Sequence, residues 1–332
     1  MSEYHEAMYY QKLEDNRVHC VLCPHNCHIK PGSVGLCRQR MNADGTLVSK
    51  IYGRVTSASM DPVEKKPLYH FHPGARILSI GTNGCNFACQ HCQNWTTSQE
   101  DSPTQALSAE EAVELAERQG SFGISYTYNE PLIWYEYVLD TSKLARERGM
   151  KNVLVTNGFV QEAPLRQLLP FIDALNIDIK SIRDEFYRKI CRGRLGPVLE
   201  TAIIANESAH VEITNLIIPG HNDSDADLTS LADWIRDHLG PETPTHLSAY
   251  FPRYRLKAPP TPVETLERGY EIFAKRLHYV YLGNVMAHRG ADTKCRKCGS
   301  VLVERRGYHT EAVGLTGDGC KKCGEKLKIV VR

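Results

Sequence analysis

The sequence reads as an α/β protein built on a parallel sheet, and three observations predict this. Between about residues 77 and 283, short apolar runs rich in β-branched residues alternate with helical patterns. The runs are continuously apolar, as strands covered on both faces are. The helical stretches between them carry their own start and stop signals. Repeated strand–helix units of this length imply either a barrel or a doubly wound sheet.

The strand-like runs fall at 77–81, 123–127, 152–156, 174–179, 211–218, 246–251 and 279–282. Ser108-Ala109-Glu110-Glu111 is a capping box, and the helix it opens is expected to end at Gly120. Thr261-Pro262 opens another, with proline in the first turn and Glu264 and Glu267 near the positive end. Two flanks differ from this core. Residues 1–70 are cysteine-rich with little periodicity, 71–290 carry the strand–helix series, and 291–332 form a small tail. From residue 294 onward ten Lys or Arg stand against four Asp or Glu, a net +6, on a body whose 30 basic and 35 acidic residues leave −5.

Across 332 residues the net charge is +1, which argues against a protein held to nucleic acid by bulk charge. Charged residues at 24% and hydrophobic residues at 42% are ordinary for a globular chain and exclude long disorder. No run approaches the roughly 20 apolar residues of a membrane span. The polar, acidic stretch Met1-Ser2-Glu3-Tyr4-His5-Glu6 is not a secretory signal, so a cytoplasmic protein is expected.

Twelve cysteines are the unusual feature. Clustered cysteines in a chain without an export signal are more often metal ligands than disulfides. They divide into Cys20, Cys23, Cys27 and Cys37; Cys85, Cys89 and Cys92; and Cys295, Cys298, Cys320 and Cys323. Cys191 is left over, most simply as a small buried residue.

The three-cysteine set lies in Gly84-Cys85-Asn86-Phe87-Ala88-Cys89-Gln90-His91-Cys92-Gln93-Asn94-Trp95, directly after the first strand of the series. Its spacing is C-x3-C-x2-C. A structural zinc site closes with four ligands, and a [4Fe–4S] cluster also usually takes four thiolates. Three thiolates on one loop leave an iron open to a substrate. The plainer alternative is zinc completed by His91, but His91 stands between two ligands, where the loop has to fold back on itself.

With this loop the sequence resembles the radical S-adenosylmethionine (SAM) superfamily, most of all enzymes of the pyruvate formate-lyase activating type and the radical SAM member of the AmmeMemoRadiSam system. Matching stretches run through nearly the whole chain. They include Cys20-Val21-Leu22-Cys23-Pro24-His25-Asn26-Cys27, Asp61-Pro62-Val63-Glu64-Lys65-Lys66-Pro67-Leu68-Tyr69-His70 and Tyr126-Thr127-Tyr128-Asn129-Glu130-Pro131. Thr156-Asn157-Gly158-Phe159, Asp178-Ile179-Lys180 and the tail follow.

The resemblance implies a partial (β/α)6 TIM barrel with the cluster at the C-terminal end of its first strand, where such folds place their chemistry. It implies a [4Fe–4S] cluster on Cys85, Cys89 and Cys92 that binds SAM and cleaves it reductively, giving a 5′-deoxyadenosyl radical that abstracts hydrogen. Tyr128-Asn129-Glu130 stands where the superfamily often has a Gly-Gly-Glu turn, so Glu130 is matched to the SAM ammonium while both glycines are replaced. Asn129, Thr156 and Asn157 are carried over as SAM contacts, and Asp178 and Lys180 match an Asp-x-Lys pair facing SAM. His91 takes the place of an aromatic residue before the third cysteine and stacks on adenine. For Glu130 the competing reading is a strand-end carboxylate capping the next helix, and for Asp178 and Lys180 a surface ion pair. The implied partners are an electron donor of ferredoxin or flavodoxin type and the other AmmeMemoRadiSam components.

Cys295-Arg296-Lys297-Cys298-Gly299 and Cys320-Lys321-Lys322-Cys323-Gly324 are paired C-x2-C-G knuckles, and they predict a zinc ribbon; a rubredoxin-like iron site is the alternative. The spacing of Cys20, Cys23, Cys27 and Cys37 suits structural zinc or an auxiliary [4Fe–4S] cluster, with zinc preferred. The expected function is hydrogen abstraction from a partner protein or a small substrate. One alternative is a radical SAM enzyme that modifies RNA and grips it with the basic ribbon. Another is a non-catalytic iron–sulfur carrier or zinc scaffold, which has no use for Glu130, Asp178 and Lys180 at strand ends.

Overall fold

The computed structural model describes residues 4–285 and 289–331. The opening residues Met1 to Glu3, part of the acidic start read above, lie outside the described residues. An eight-stranded sheet organises the chain. Its strands are β1 (Ser57–Pro62), β2 (Arg76–Gly81), β3 (Gly123–Tyr126), β4 (Lys151–Thr156), β5 (Ala174–Asp178), β6 (His210–Ile217), β7 (Thr245–Ala249) and β8 (Val280–Gly283). They lie side by side in chain order. From β2 to β8 every pairing is parallel, with register pairs such as Ser125 beside Ser79 and Ile213 beside Thr245. The strand β1 runs antiparallel to β2, with Ser57 opposite Gly81.

Each of β2 to β7 is followed by a helix: α1 (Ala109–Arg118), α2 (Tyr135–Glu147), α3 (Glu162–Leu168), α4 (Leu195–Asn206), α5 (Asp225–Leu239) and α6 (Val263–Ala274). Six strand–helix units and a closing parallel strand result, as the seven apolar runs require. At α1 the capping box is formed, with Glu111 N donating to Ser108 Oγ and Ser108 N to Glu111 Oε2. Gly120 follows the helix end at φ +64°, where a side chain is disfavoured. At α6 the signal is shifted: Pro262 is the N-cap itself. Thr261 does not cap; its hydroxyl donates to Ile217 O and accepts Tyr250 N, tying loop to strand.

The sequence reading left β1 in the N-terminal segment. That segment otherwise folds as two small antiparallel sheets, Tyr10–Lys12, Val18–Cys20 and Cys27–Ile29, and His5–Glu6, Arg40–Ala43 and Thr46–Ser49, and it pairs Arg54–Val55 with Gln105–Ala106. It is bolted to α2 by the buried ion pair of Arg40 with Glu136 (3.0 Å), whose carboxylate also accepts Met8 N.

Between β1 and β2 the chain crosses the inside of the sheet as a strap. Pro67 O accepts Asn176 Nδ2 of β5, and Tyr69 N and His70 N both donate to Glu212 of β6. His70 Nε2 meets the Tyr281 hydroxyl of β8 at 2.6 Å. Glu212 is also bonded to His210 and His246. The tail locks the strap from outside, as Arg305 donates to Tyr69 O and Thr293 Oγ1 and stacks over the Tyr69 ring. No described helix is long and apolar enough to cross a membrane.

Candidate active site

The C-terminal ends of the parallel strands surround a cavity of about 440 Å³, a volume in the range of small-ligand sites. Thr127 to Glu130 after β3, Thr156 and Asn157 at β4, Asp178 and Lys180 at β5, Thr214 of β6 and Ser248 of β7 all face it. The cavity is thus shared by the C-terminal ends of five successive parallel strands, β3 to β7. The strap supplies Lys65, Lys66 and Pro67.

Cys85, Cys89 and Cys92 enter this cavity from the loop after β2. The loop is fixed from three sides. Asn129 accepts Thr82 N and donates to Gly84 O. Asn157 Nδ2 donates to Asn86 Oδ1 at 2.9 Å and to Cys85 Sγ at 3.5 Å. A π-helical turn, Tyr187–Cys191, presents its Ile190 and Cys191 carbonyls to Gln90 N and Ala88 N. Such turns often mark functional sites.

Burial drives the Cys85 thiol well above its ordinary value, with Glu130 and the other two thiols adding to the effect, and burial also raises Cys92. A hydrogen bond from Cys191, then nearby Lys180, hold Cys89 lower against burial. Three soft donors facing one cavity, two of them costly to ionise without a cation, fit an iron–sulfur cluster with one iron left open.

Glu130 is 2% exposed, and both its oxygens are engaged. Oε1 accepts Leu132 N and the Thr156 hydroxyl, while Oε2 accepts Asn157 N at 2.8 Å. It therefore caps the turn after β3, as the plainer reading held, and also faces the cavity. Burial raises its carboxyl to about 7. Lys180 Nζ pairs with Asp178 Oδ2 at 2.9 Å. Burial acts to lower Lys180, but Asp178, Cys89 and Cys191 overcome it and raise the ammonium well above its ordinary value.

His91 is buried at the cavity wall with its ring near Phe186, and its Nδ1 has no hydrogen-bond partner. Burial and Lys180 lower it to about 3, so it is neutral. Its ring nitrogen lies within 4.8 Å of the Cys89 and Cys191 sulfurs. Cys191, which the sequence left without a role, is thus buried directly behind the cluster loop.

Sequence reasoning also missed Asp61, Lys66 and Tyr128. Lys66 Nζ and the Tyr128 hydroxyl meet Asp61 Oδ2 at 2.7 and 2.5 Å, and Lys66 lies over the Tyr128 ring. Tyr128 has φ +73°, in the left-handed region. Its place in a turn usually filled by glycine was the signal available in the sequence, because a bulky residue there needs side-chain contacts to hold it.

In the tail, Cys295 Sγ lies 3.6 Å from Cys323 Sγ and Cys298 Sγ 3.7 Å from Cys320 Sγ. All four sulfurs fall within 4.8 Å of one another, as one tetrahedral ion requires. Near the N-terminus, Cys20, Cys23, Cys27 and Cys37 face a separate small cavity with Leu22 and Ile133. Burial, and then the neighbouring thiols, push Cys23 up to about 12.

Comparison with known proteins agrees with this geometry. The description of the radical SAM superfamily matches residues 79–235. An uncharacterized protein of Methanocaldococcus jannaschii is 47% identical over 98% of this chain and 99% of its own. The pyruvate formate-lyase-activating enzyme of Clostridium pasteurianum is 27% identical over 50% of this chain and 71% of its own. Among solved structures, a radical SAM methyltransferase from Sphaerobacter thermophilus superposes with a TM-score of 0.50 at 18% identity, covering 64% of this chain and 67% of that one, a likeness of fold alone.

Proposed function

Because the chain belongs to the radical SAM superfamily and is related to the glycyl-radical activating enzymes, we propose that it abstracts hydrogen from a partner protein or a small substrate. The observation that carries this reading is the meeting of Cys85, Cys89 and Cys92 with Glu130, Asp178 and Lys180 in one cavity. When bound, the cluster and SAM supply one-electron cleavage of the sulfonium to methionine and a 5′-deoxyadenosyl radical.

The chain's own residues bind, orient and exclude water. Cys85, Cys89 and Cys92 hold the cluster. Glu130 accepts the SAM ammonium, taking the ionised form when a cation arrives beside it. Lys180 and Asp178 present one charge of each sign to the zwitterionic end of SAM. Asn157 fixes the Cys85 sulfur and Glu130 together, through Nδ2 and its backbone N–H. His91, neutral and buried, offers a flat face to adenine. The ribbon cysteines hold zinc. An electron donor of ferredoxin or flavodoxin type supplies the reductant, and the other AmmeMemoRadiSam components are the proposed partners.

The RNA-modifying alternative relies on the basic ribbon, but Arg296 there is paired with Glu242 and Glu325, and Lys326 with Asp318. These pairs reduce the charge open to phosphate, which favours the protein or small-molecule substrate. The test is anaerobic turnover with deuterated candidate substrates. Wild type should cleave SAM, Cys89→Ala should not while keeping the ribbon metal, and Glu130→Ala should weaken SAM binding roughly ten- to a hundredfold. SAM cleavage that survives in Cys89→Ala overturns the reading.

A further inference from the structure

The N-terminal cysteines Cys20, Cys23, Cys27 and Cys37 were read from spacing alone as either structural zinc or a cluster. The geometry separates the two. A single tetrahedral ion with bonds of about 2.3 Å draws its four sulfurs to about 4 Å from one another. A [4Fe–4S] cube carries each thiolate on a different iron, so the sulfurs stand roughly 6 Å apart around an inorganic core.

The chain contains its own reference for each case. The ribbon sulfurs approach to 3.6 and 3.7 Å, and all four gather within 4.8 Å. The N-terminal sulfurs do not form such a group, and neither do those of Cys85, Cys89 and Cys92, the set matched to a cluster. Yet the N-terminal four are neighbours. Cys20 stands opposite Cys27 across the paired strands Val18–Cys20 and Cys27–Ile29. They ring an enclosed cavity whose other walls include Leu22, Ile29 and Ile133, rather than closing on a point.

We propose that Cys20, Cys23, Cys27 and Cys37 hold a second [4Fe–4S] cluster, with all four irons bound by protein, next to the cavity of the first. The surroundings suit it. Arg40, fully buried, lines the same cavity, and its Nε–H has no hydrogen-bond partner although the guanidinium is paired with Glu136. A spare donor and a positive charge beside four thiolates stabilise a cluster of net negative charge. The site also abuts the first loop. A Cβ added at Gly84, the residue before Cys85, would lie 2.8 Å from Cys37 O. His25, between Cys23 and Cys27, bonds Asn86 O at 2.7 Å.

The test is a metal and sulfide count on the full chain, produced anaerobically in ⁵⁷Fe and kept from oxygen. Wild type should hold about eight iron, about eight acid-labile sulfides and about one zinc per chain by native mass spectrometry. Replacing Cys85, Cys89 and Cys92 together by Ala should leave about four iron with the Mössbauer signature of an intact cube, whatever the outcome for SAM cleavage. Cys23→Ser with Cys27→Ser should remove about four iron and leave the ribbon zinc in place. About four iron and two zinc in wild type overturns the proposal, as does a triple-alanine variant that retains two zinc and no iron. The wild-type count stands even if a variant fails to fold.

Discussion

Thr156 donates its hydroxyl to Glu130 Oε1 at 2.7 Å, joining the ends of β4 and β3 in the wall of the cavity. The bond keeps an acceptor facing the space where a ligand cation would sit. It also sets how that acceptor answers to pH.

Burial, opposed by the donors Asn157 N, Thr156 Oγ1 and Leu132 N, raises the Glu130 carboxyl from 4.5 to about 7. A raised carboxyl contributes stability that is fully present below the unfolded value near 4.5 and lost as pH rises through about 7. SAM-free protein should therefore lose about 3 kcal/mol across that window, and Glu130→Gln should flatten the loss. SAM binding near pH 6 should release protons in wild type only. Calorimetry in buffers of different ionisation heat checks this, and equal proton release in the Gln variant would refute it.

Glu212 behaves in the opposite sense. Burial acts to raise it, but hydrogen bonds from His210 and His246 outweigh burial and hold it well below the usual carboxylate range. Its contribution is present above about pH 4.5 and lost as pH falls toward the folded value. Glu212→Gln should cost about 3–5 kcal/mol at neutral pH, because two backbone donors and two imidazoles lose a charged partner. Urea midpoints at pH 7 and about pH 4 should show the penalty shrinking with acid.

Arg305 stitches the tail to the strap through Tyr69 O, Thr293 Oγ1 and Ala291 O. Arg305→Ala should destabilise by roughly 2–4 kcal/mol, with Arg305→Lys recovering only part, since an ammonium cannot reproduce the planar fork. Chemical denaturation of the three proteins checks the order. An alanine variant as stable as wild type would refute it.

Gly84 has φ +94°, and a Cβ there would meet Gln39 Cγ at 2.4 Å and Cys37 O at 2.8 Å. Gly84→Ala must push the cluster loop away from the N-terminal cysteines. We expect lower iron content in both cysteine sets and a stability loss of at least about 1 kcal/mol from the backbone strain alone. Iron analysis with thermal melting measures both, and full iron loading at wild-type stability would contradict the packing.

What the sequence disclosed was local. The C-x3-C-x2-C loop, the two knuckles and the capping box at Ser108 are short-range spacings; the capping box is formed, and the knuckles bring their four sulfurs together. The seven parallel strands were visible because burial on both faces demands unbroken apolar runs. Ser57–Pro62 was not, because an antiparallel edge strand with only one of its six residues buried reads as Ser-Ala-Ser-Met-Asp-Pro. The placement of Cys191 behind Cys89, and of Lys66 against Tyr128, depends on contacts far apart in sequence. Spacing had no purchase there. For Tyr128 only the departure from glycine hinted at a held conformation.

The strap across the sheet has a consequence for how the chain comes off the ribosome. His70 finds its partners at Tyr281 and at Lys328 O, the latter 258 positions downstream. Val330 O accepts His72 N and Val330 N donates to His70 O. While β1 to β7 emerge, the interior around Glu212 therefore waits half-assembled, its polar groups exposed to water or to one another. Completion of this region therefore waits until the ribbon has been made. Nascent chains arrested before residue 281 should then be open to proteases in the strap, however well their helices have formed.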